Sequence, residues 1–167
     1  PEADRYPIGS ADTSAPGFKV RVVQAAATPV LPNSQARAEA QLAGTLIDPA
    51  TGQPYVNEAV PGPNADGTYN DADVINYEQD AGAAGSQGNF QPDEAMPGIP
   101  GTTGHTDNIA MEVLTYLALP AGAHTFGVNS DDGFAVFTAP DARDVFATTV
   151  GIFDGGRAAA DTIFSFV

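Results

Sequence analysis

His124-Thr-Phe-Gly-Val-Asn-Ser-Asp-Asp-Gly-Phe134 is the stretch on which the reading of this chain turns. Polar and apolar residues alternate, so that Phe126 and Val128 share one face, as in a half-buried β-strand. Asp131, Asp132 and Gly133 then follow at the strand's exit, where a β-fold commonly places its binding loops. Two adjacent carboxylates repel one another unless a positive charge lies between them, and a hard divalent cation with oxygen ligands meets that need. The stretch therefore predicts a calcium site, with Asp131 and Asp132 as ligands, on the rim of a β-sandwich. The competing reading is a plain turn, since Asp and Gly favour turns without any metal.

Working outward, Phe18-Lys-Val-Arg-Val-Val-Gln24 alternates as a half-buried strand. Leu31-Pro-Asn33 halts that pattern; Asn33 or Ser34 is placed to cap a short helix through Ala36, Ala40 and Leu42, which Gly44 would end. Strand patterns resume at Asp73–Glu78 and at Asn108–Leu119. In the second of these, Ile109, Met111, Val113, Leu117 and Leu119 share the core parity while Glu112 and Tyr116 face water. Val145–Phe153 and Thr162–Val167 complete the series. Many short strands, Gly/Pro turns and one weak helix predict an all-β fold, an antiparallel β-sandwich with long Gly/Pro-rich loops. Residues 1–16 read as an extended arm or linker and 17–167 as the domain. The polar stretches 48–69 and 80–106 are long enough to expect function or disorder of them.

The 167 residues carry 21 acidic against 6 basic side chains, a formal charge of −15, and 43% hydrophobic content. That content builds a core, and the charge excludes nucleic acid as a partner, since no basic patch exists to displace counterions. Calcium is drawn in by the same field. There is no cysteine, hence neither a disulfide framework nor a thiolate metal site. No apolar run approaches membrane-spanning length, and the start at Pro1, with no leader pattern, reads as a processed protein or an excerpt from a longer one.

Other candidates are weaker. Asp154, in Asp154-Gly-Gly-Arg157, and Asn129 are further possible metal ligands, while Arg157 is expected to pair with Asp154 or Asp161. Asp66, Asn70, Asp71 and Asp73 form an acidic run that supplies oxygen atoms, but the stretch Asn64-Ala-Asp-Gly67 lacks the distal Glu of an EF-hand loop. Catalysis has little to stand on: His105 and His124 are the two histidines, His105 has no evident partner, and no nucleophile elbow is present.

Two segments carry a family resemblance: Pro120-Ala-Gly-Ala-His-Thr-Phe-Gly-Val-Asn-Ser-Asp-Asp-Gly-Phe134, and Ile152-Phe-Asp-Gly-Gly-Arg-Ala-Ala-Ala-Asp-Thr-Ile-Phe164. Together they resemble the PA14 family and its yeast-adhesin relatives, closely over the last third of the chain and loosely before it. The resemblance implies a calcium clamp at Asp131 and Asp132, joined by a cis peptide, with the metal also accepting sugar hydroxyls. It implies an extracellular or cell-surface, non-catalytic module whose partners are glycans or cell-surface polysaccharide. Read from the residues themselves, Tyr55, Tyr69, Tyr77 and Phe90 are aromatics on whose exposed faces a sugar ring would stack, although at least half of them are expected in the core; Tyr69 and Tyr77 join the candidate ligand site. Relative to the family, the chain stops short of a final strand after Val167. The alternative function is therefore a structural subunit of an extracellular fibre or surface layer, its sheet completed by another copy of itself and calcium stiffening it.

Overall fold

A computed structural model of the protein describes residues 1–4, 14–80, 92–141 and 143–167. Along these the chain forms β1 (Phe18–Gln24), α1 (Gln35–Leu42), β2 (Tyr69–Asp71), β3 (Tyr77–Glu78), β4 (Glu94–Ala95), β5 (Ile109–Leu114), β6 (His124–Ser130), β7 (Phe134–Thr138), β8 (Thr148–Phe153) and β9 (Ala160–Phe166). The fold is mostly β, with 32% strand and one short helix. Its sheets are small: an antiparallel sheet in the order β2-β1-β5, a short parallel pair β3-β4, and the antiparallel pairs β6-β9 and β7-β8. None of the helices formed by described residues is long and apolar enough to cross a membrane.

Alternation in β1 sets up the first sheet. Val20, Val22 and Gln24 lie buried on one face, opposite Val113, Met111 and Ile109 of β5. Val20 and Val22 join Ala59 and Ile99 in the core, against which Phe18, Tyr69, Tyr77, Ile109, Met111 and Val113 pack. On the other face Arg21 stands opposite Glu112, with their charged atoms 3.3 Å apart, and α1 covers what remains. Ser34 is the N-cap of α1 and accepts a hydrogen bond from Arg37 N. Gln41, buried on the helix, donates to Val23 O and Asn108 O and so welds α1 to the ends of β1 and β5.

Several boundaries differ from the expectations, each for want of a partner. The strand expected to reach Leu119 ends at Leu114, because that residue already pairs with Lys19 near the start of β1. Leu117 and Leu119, expected in the core, are exposed. The strand expected from Val145 starts at Thr148, paired with the last residue of β7. At Asp73–Glu78 only Tyr77 and Glu78 are strand, since Asp71 accepts Asp73 N and turns the chain first. Of the expected arm, residues 1–4 are docked: Ala3 N donates to Val167 O, Val167 N to Pro1 O, and Asp4 N to Thr138 Oγ1. Residues 5–13 lie outside the described residues.

The two C-terminal pairs are joined by aromatic packing. Phe126 meets Phe166 edge-on, with ring centroids 4.9 Å apart, and Phe164 of β9 lies over Gly151 of β8. A Cβ at position 151 would come within 2.5 Å of the Phe164 ring, so glycine there permits the approach.

Candidate cation site

The chain passes between the β6-β9 and β7-β8 pairs twice, at residues 131–133 and again at 154–159, and these two connections meet. Arg157 N donates to Asp132 Oδ1 at 3.0 Å. The Arg157 guanidinium donates to Ser130 O (2.9 Å), Ser130 Oγ (2.6 Å) and Thr162 Oγ1 (2.7 Å), and lies 4.2 Å from the Phe153 ring centroid. It was expected beside Asp154 or Asp161; its hydrogen bonds instead tie the end of β6 to β9, beneath the acidic turn. Ser130 Oγ in turn donates to Asp132 O.

Asp131 and Asp132 come together as a pair at this junction. Their peptide bond is cis, and their carboxyls lie within hydrogen-bonding reach of each other. Asp131 keeps solvent access, yet its carboxyl is held above the ordinary range, first by partial desolvation against the turn and then by the charge of Asp132. Glu78, from β3, adds to the negative field there and Arg157 opposes it. Burial lowers the Arg37 guanidinium, which in turn feels Asp132.

The other proposed ligands have different partners. Asn129 Nδ2 donates to Asp161 Oδ1 at 2.7 Å across the β6-β9 pair, and Asp154 Oδ1 accepts Gln35 N at 2.7 Å, anchoring the first residue of α1. Among the described residues, no group of three or more His, Cys, Asp or Glu side chains stands ready to hold a metal ion. The donor chemistry of the aspartate pair suits a hard cation such as calcium, and a shell of six to eight oxygens would draw its remainder from carbonyls and solvent.

Tyr69 and Tyr77, the expected sugar-stacking rings, pack against the core, and their hydroxyls donate to Val60 O and to the Asp71 carboxylate. Tyr55 Oη is buried; Phe90 lies outside the described residues. The acidic run folds on itself: Asp66 accepts from Thr68 N and Oγ1 and meets Lys19 Nζ at 2.6 Å, bonds that hold its carboxyl well below the usual range.

A second ionisable cluster escaped the sequence reading. His105, for which no partner was evident, places Nε2 2.9 Å from Glu58 Oε2, while Nδ1 faces Asp107 N and Gln24 Nε2, each at 3.2 Å. Two N–H groups aimed at Nδ1 require a lone pair there, which leaves the proton on Nε2 for Glu58. Thr103 Oγ1 also donates to Glu58, and these two bonds hold the Glu58 carboxyl below its ordinary range. Gln24 Oε1 accepts Gly101 N, closing a latch on the loop 99–107; a Cβ at 101 would lie 2.2 Å from that oxygen. The one signal in the sequence was the misfit itself, a glutamine at a core position of β1.

No family model, curated protein or solved structure matches this chain.

Proposed function

We propose that the chain is an extracellular, calcium-dependent carbohydrate-binding or adhesion module, a PA14-like β-sandwich in which Asp131 and Asp132 grip the ion. The observation that carries this reading is the pairing of two carboxyls within reach of each other at the junction of both inter-sheet connections. Among the described residues neither is hydrogen-bonded to a guanidinium, the chain carries a charge of −15, and Asp131 is raised toward protonation. A divalent cation between them would remove both the repulsion and the upward shift. In this reading β6-β9 and β7-β8 are the facing leaves of the sandwich, and the junction is its rim.

Asp131 and Asp132 bind the cation, while Arg157 and Ser130 hold the turn that presents them. Bound calcium would supply an oxygen-seeking centre able to take two hydroxyls of a sugar as ligands. Asn129 keeps its amide oxygen and Asp154 its second carboxylate oxygen outside these hydrogen bonds, so both can add to the shell while their bonds to Asp161 and Gln35 brace the rim. With Tyr69 and Tyr77 turned into the core, sugar contact rests on the cation and on exposed polar groups. The module is non-catalytic, and its partner is a glycan or surface polysaccharide.

The test is thermal unfolding of the wild type and of the double variant Asp131→Asn, Asp132→Asn, in calcium and in chelator. A ligand of the folded state at a hundred times its Kd stabilises by about 2.7 kcal/mol. The wild type should show a rise of that order and the variant none. Equal responses would remove the assignment. The fibre-subunit reading keeps one supporting observation: β6-β9 has two strands among the described residues, and Ile163 on β9 is 74% exposed. Calcium-dependent filaments under the electron microscope would favour it.

A further inference from the structure

The hairpin of β7 and β8 turns a second surface outward, distinct from the cation site. Gly151 and its register partner Val136 face Phe164, so their neighbours Ile152 and Phe137 point away, and these are 52% and 49% exposed. The connection between the two strands carries Val145 and Phe146, each 89% exposed. Its described residues, 139–141 and 143–147, include several tied by hydrogen bonds. Asp144 N donates to Asp141 O, Ala147 N to Asp144 O, and Phe146 N to Asp144 Oδ1 at 2.8 Å. Arg143 anchors it to β5 through a two-pronged contact with Glu112, at 2.6 and 2.8 Å.

Two large apolar side chains in succession on a hydrogen-bonded turn, beside an apolar sheet face, form the kind of surface that marks an interaction site. Its surroundings specify the partner. Asp141 and Asp144 precede Val145 and Phe146 in the turn, and Asp4 sits at the neck of the hairpin, its Oδ2 accepting Thr138 Oγ1 and Thr148 N. Among the described residues of the turn, the positive charge, Arg143, is matched by Glu112. The hairpin thus offers an apolar centre with an anionic rim, the pattern of an interface core and its polar border. A second copy, or an anionic lipid surface, meets the repulsion of a chain of charge −15.

We propose that this hairpin binds, through Phe146 and Val145, a segment of a protein partner that carries an apolar residue beside Lys and Arg. Complementary charge then steers the encounter while the apolar tip supplies the grip.

The full-length chain, immobilised, is panned against a phage-displayed library of random peptides, with Phe146→Ser as the counter-target. Circular-dichroism melting checks that this exposed-turn variant is folded, and Ile163→Ser, an exposed apolar change on the other sheet, serves as the control. The proposal expects peptides pairing an apolar residue with two or more Lys or Arg. Their affinity should fall at least tenfold for Phe146→Ser, should fall with rising salt, and should hold for Ile163→Ser. No enrichment, peptides without basic residues, or equal binding to Phe146→Ser would each overturn it. Two further results would also overturn it by assigning the surface elsewhere. One is a wild-type dimer in sedimentation that Phe146→Ser dissolves; the other is flotation with phosphatidylcholine vesicles that Phe146→Ser abolishes.

Discussion

The sheet built on β1 is held by aliphatic side chains and buried amides, whereas the strand pairs after Pro120 are held by phenylalanines packed over a glycine. In the first region the interior contains Val20 and Val22 together with Gln24 and Gln41, whose amides bond to loop and strand backbone. In the second, Phe126, Phe164 and Phe166 contact one another, and polar groups are displaced to the rim, where Arg157 and Asp132 gather them. The difference teaches how one chain divides its tasks. Buried amides demand fixed partners and so specify the course of long loops, while aromatic packing supplies stability and leaves the polar groups to gather at the rim.

The most severe break in this comparison comes from removing an aromatic anchor. Phe166 is 5% exposed, and Phe166→Ala should lower the unfolding free energy by about 4 kcal/mol, read from urea denaturation. A loss below about 1 kcal/mol would mean that aromatic packing does not hold the C-terminal pairs. Next in size is Gln24→Ala. It leaves Gly101 N and the His105 carbonyl without their partner, at a cost of about 3 kcal/mol, and limited proteolysis should then cut within residues 99–107. If the loop stays protected, the latch is not what holds it.

The smallest effect concerns charge, and its sign differs between the regions. Glu58 is lowered in the folded state, so its contribution to stability is present above its ordinary value of 4.5 and is lost as pH falls through the folded value. Glu58→Gln should flatten that acid limb. Asp131 is raised, so in chelator its ionisation weakens the fold as pH climbs, and its contribution is greatest when protonated. Asp131→Asn in chelator should therefore stabilise the chain at pH 7, by less than about 1 kcal/mol because the group is solvent-exposed and screened. The same change should reduce any calcium response. Destabilisation in chelator would show that the turn uses the Asp131 carboxylate structurally, and would blur the contrast.

Much of the local structure was open to reading. Alternation over Phe18–Gln24 matches β1 residue for residue, Ser34 caps α1, and His124–Ser130 is β6 with Phe126 turned inward. The core parity of Ile109, Met111 and Val113 also holds. These features arise from side-chain period and capping chemistry, both of which act within a few residues. The misses share a cause. Leu117 and Leu119 carried the right pattern but had no strand to pair with, while Tyr69 and Tyr77 took the core alternative in part, half-buried against Val20 and Val22. His105 looked solitary because Glu58 and Gln24 lie far from it in the chain.

The sequence by itself therefore determined the mostly β character, the helix and its cap, the alternating faces, the acidic field, and the adjacency of Asp131 and Asp132. Only the tertiary structure decided that the turn bearing this pair would meet the loop of Arg157, and that Asn129 would bond to Asp161 and Asp154 to Gln35. It alone decided that a core glutamine would latch a loop through His105 and Glu58, and that Val145 and Phe146 would stand in water. The first set depends on neighbours in the chain, and the second on contacts that long-range packing creates and local sequence does not encode.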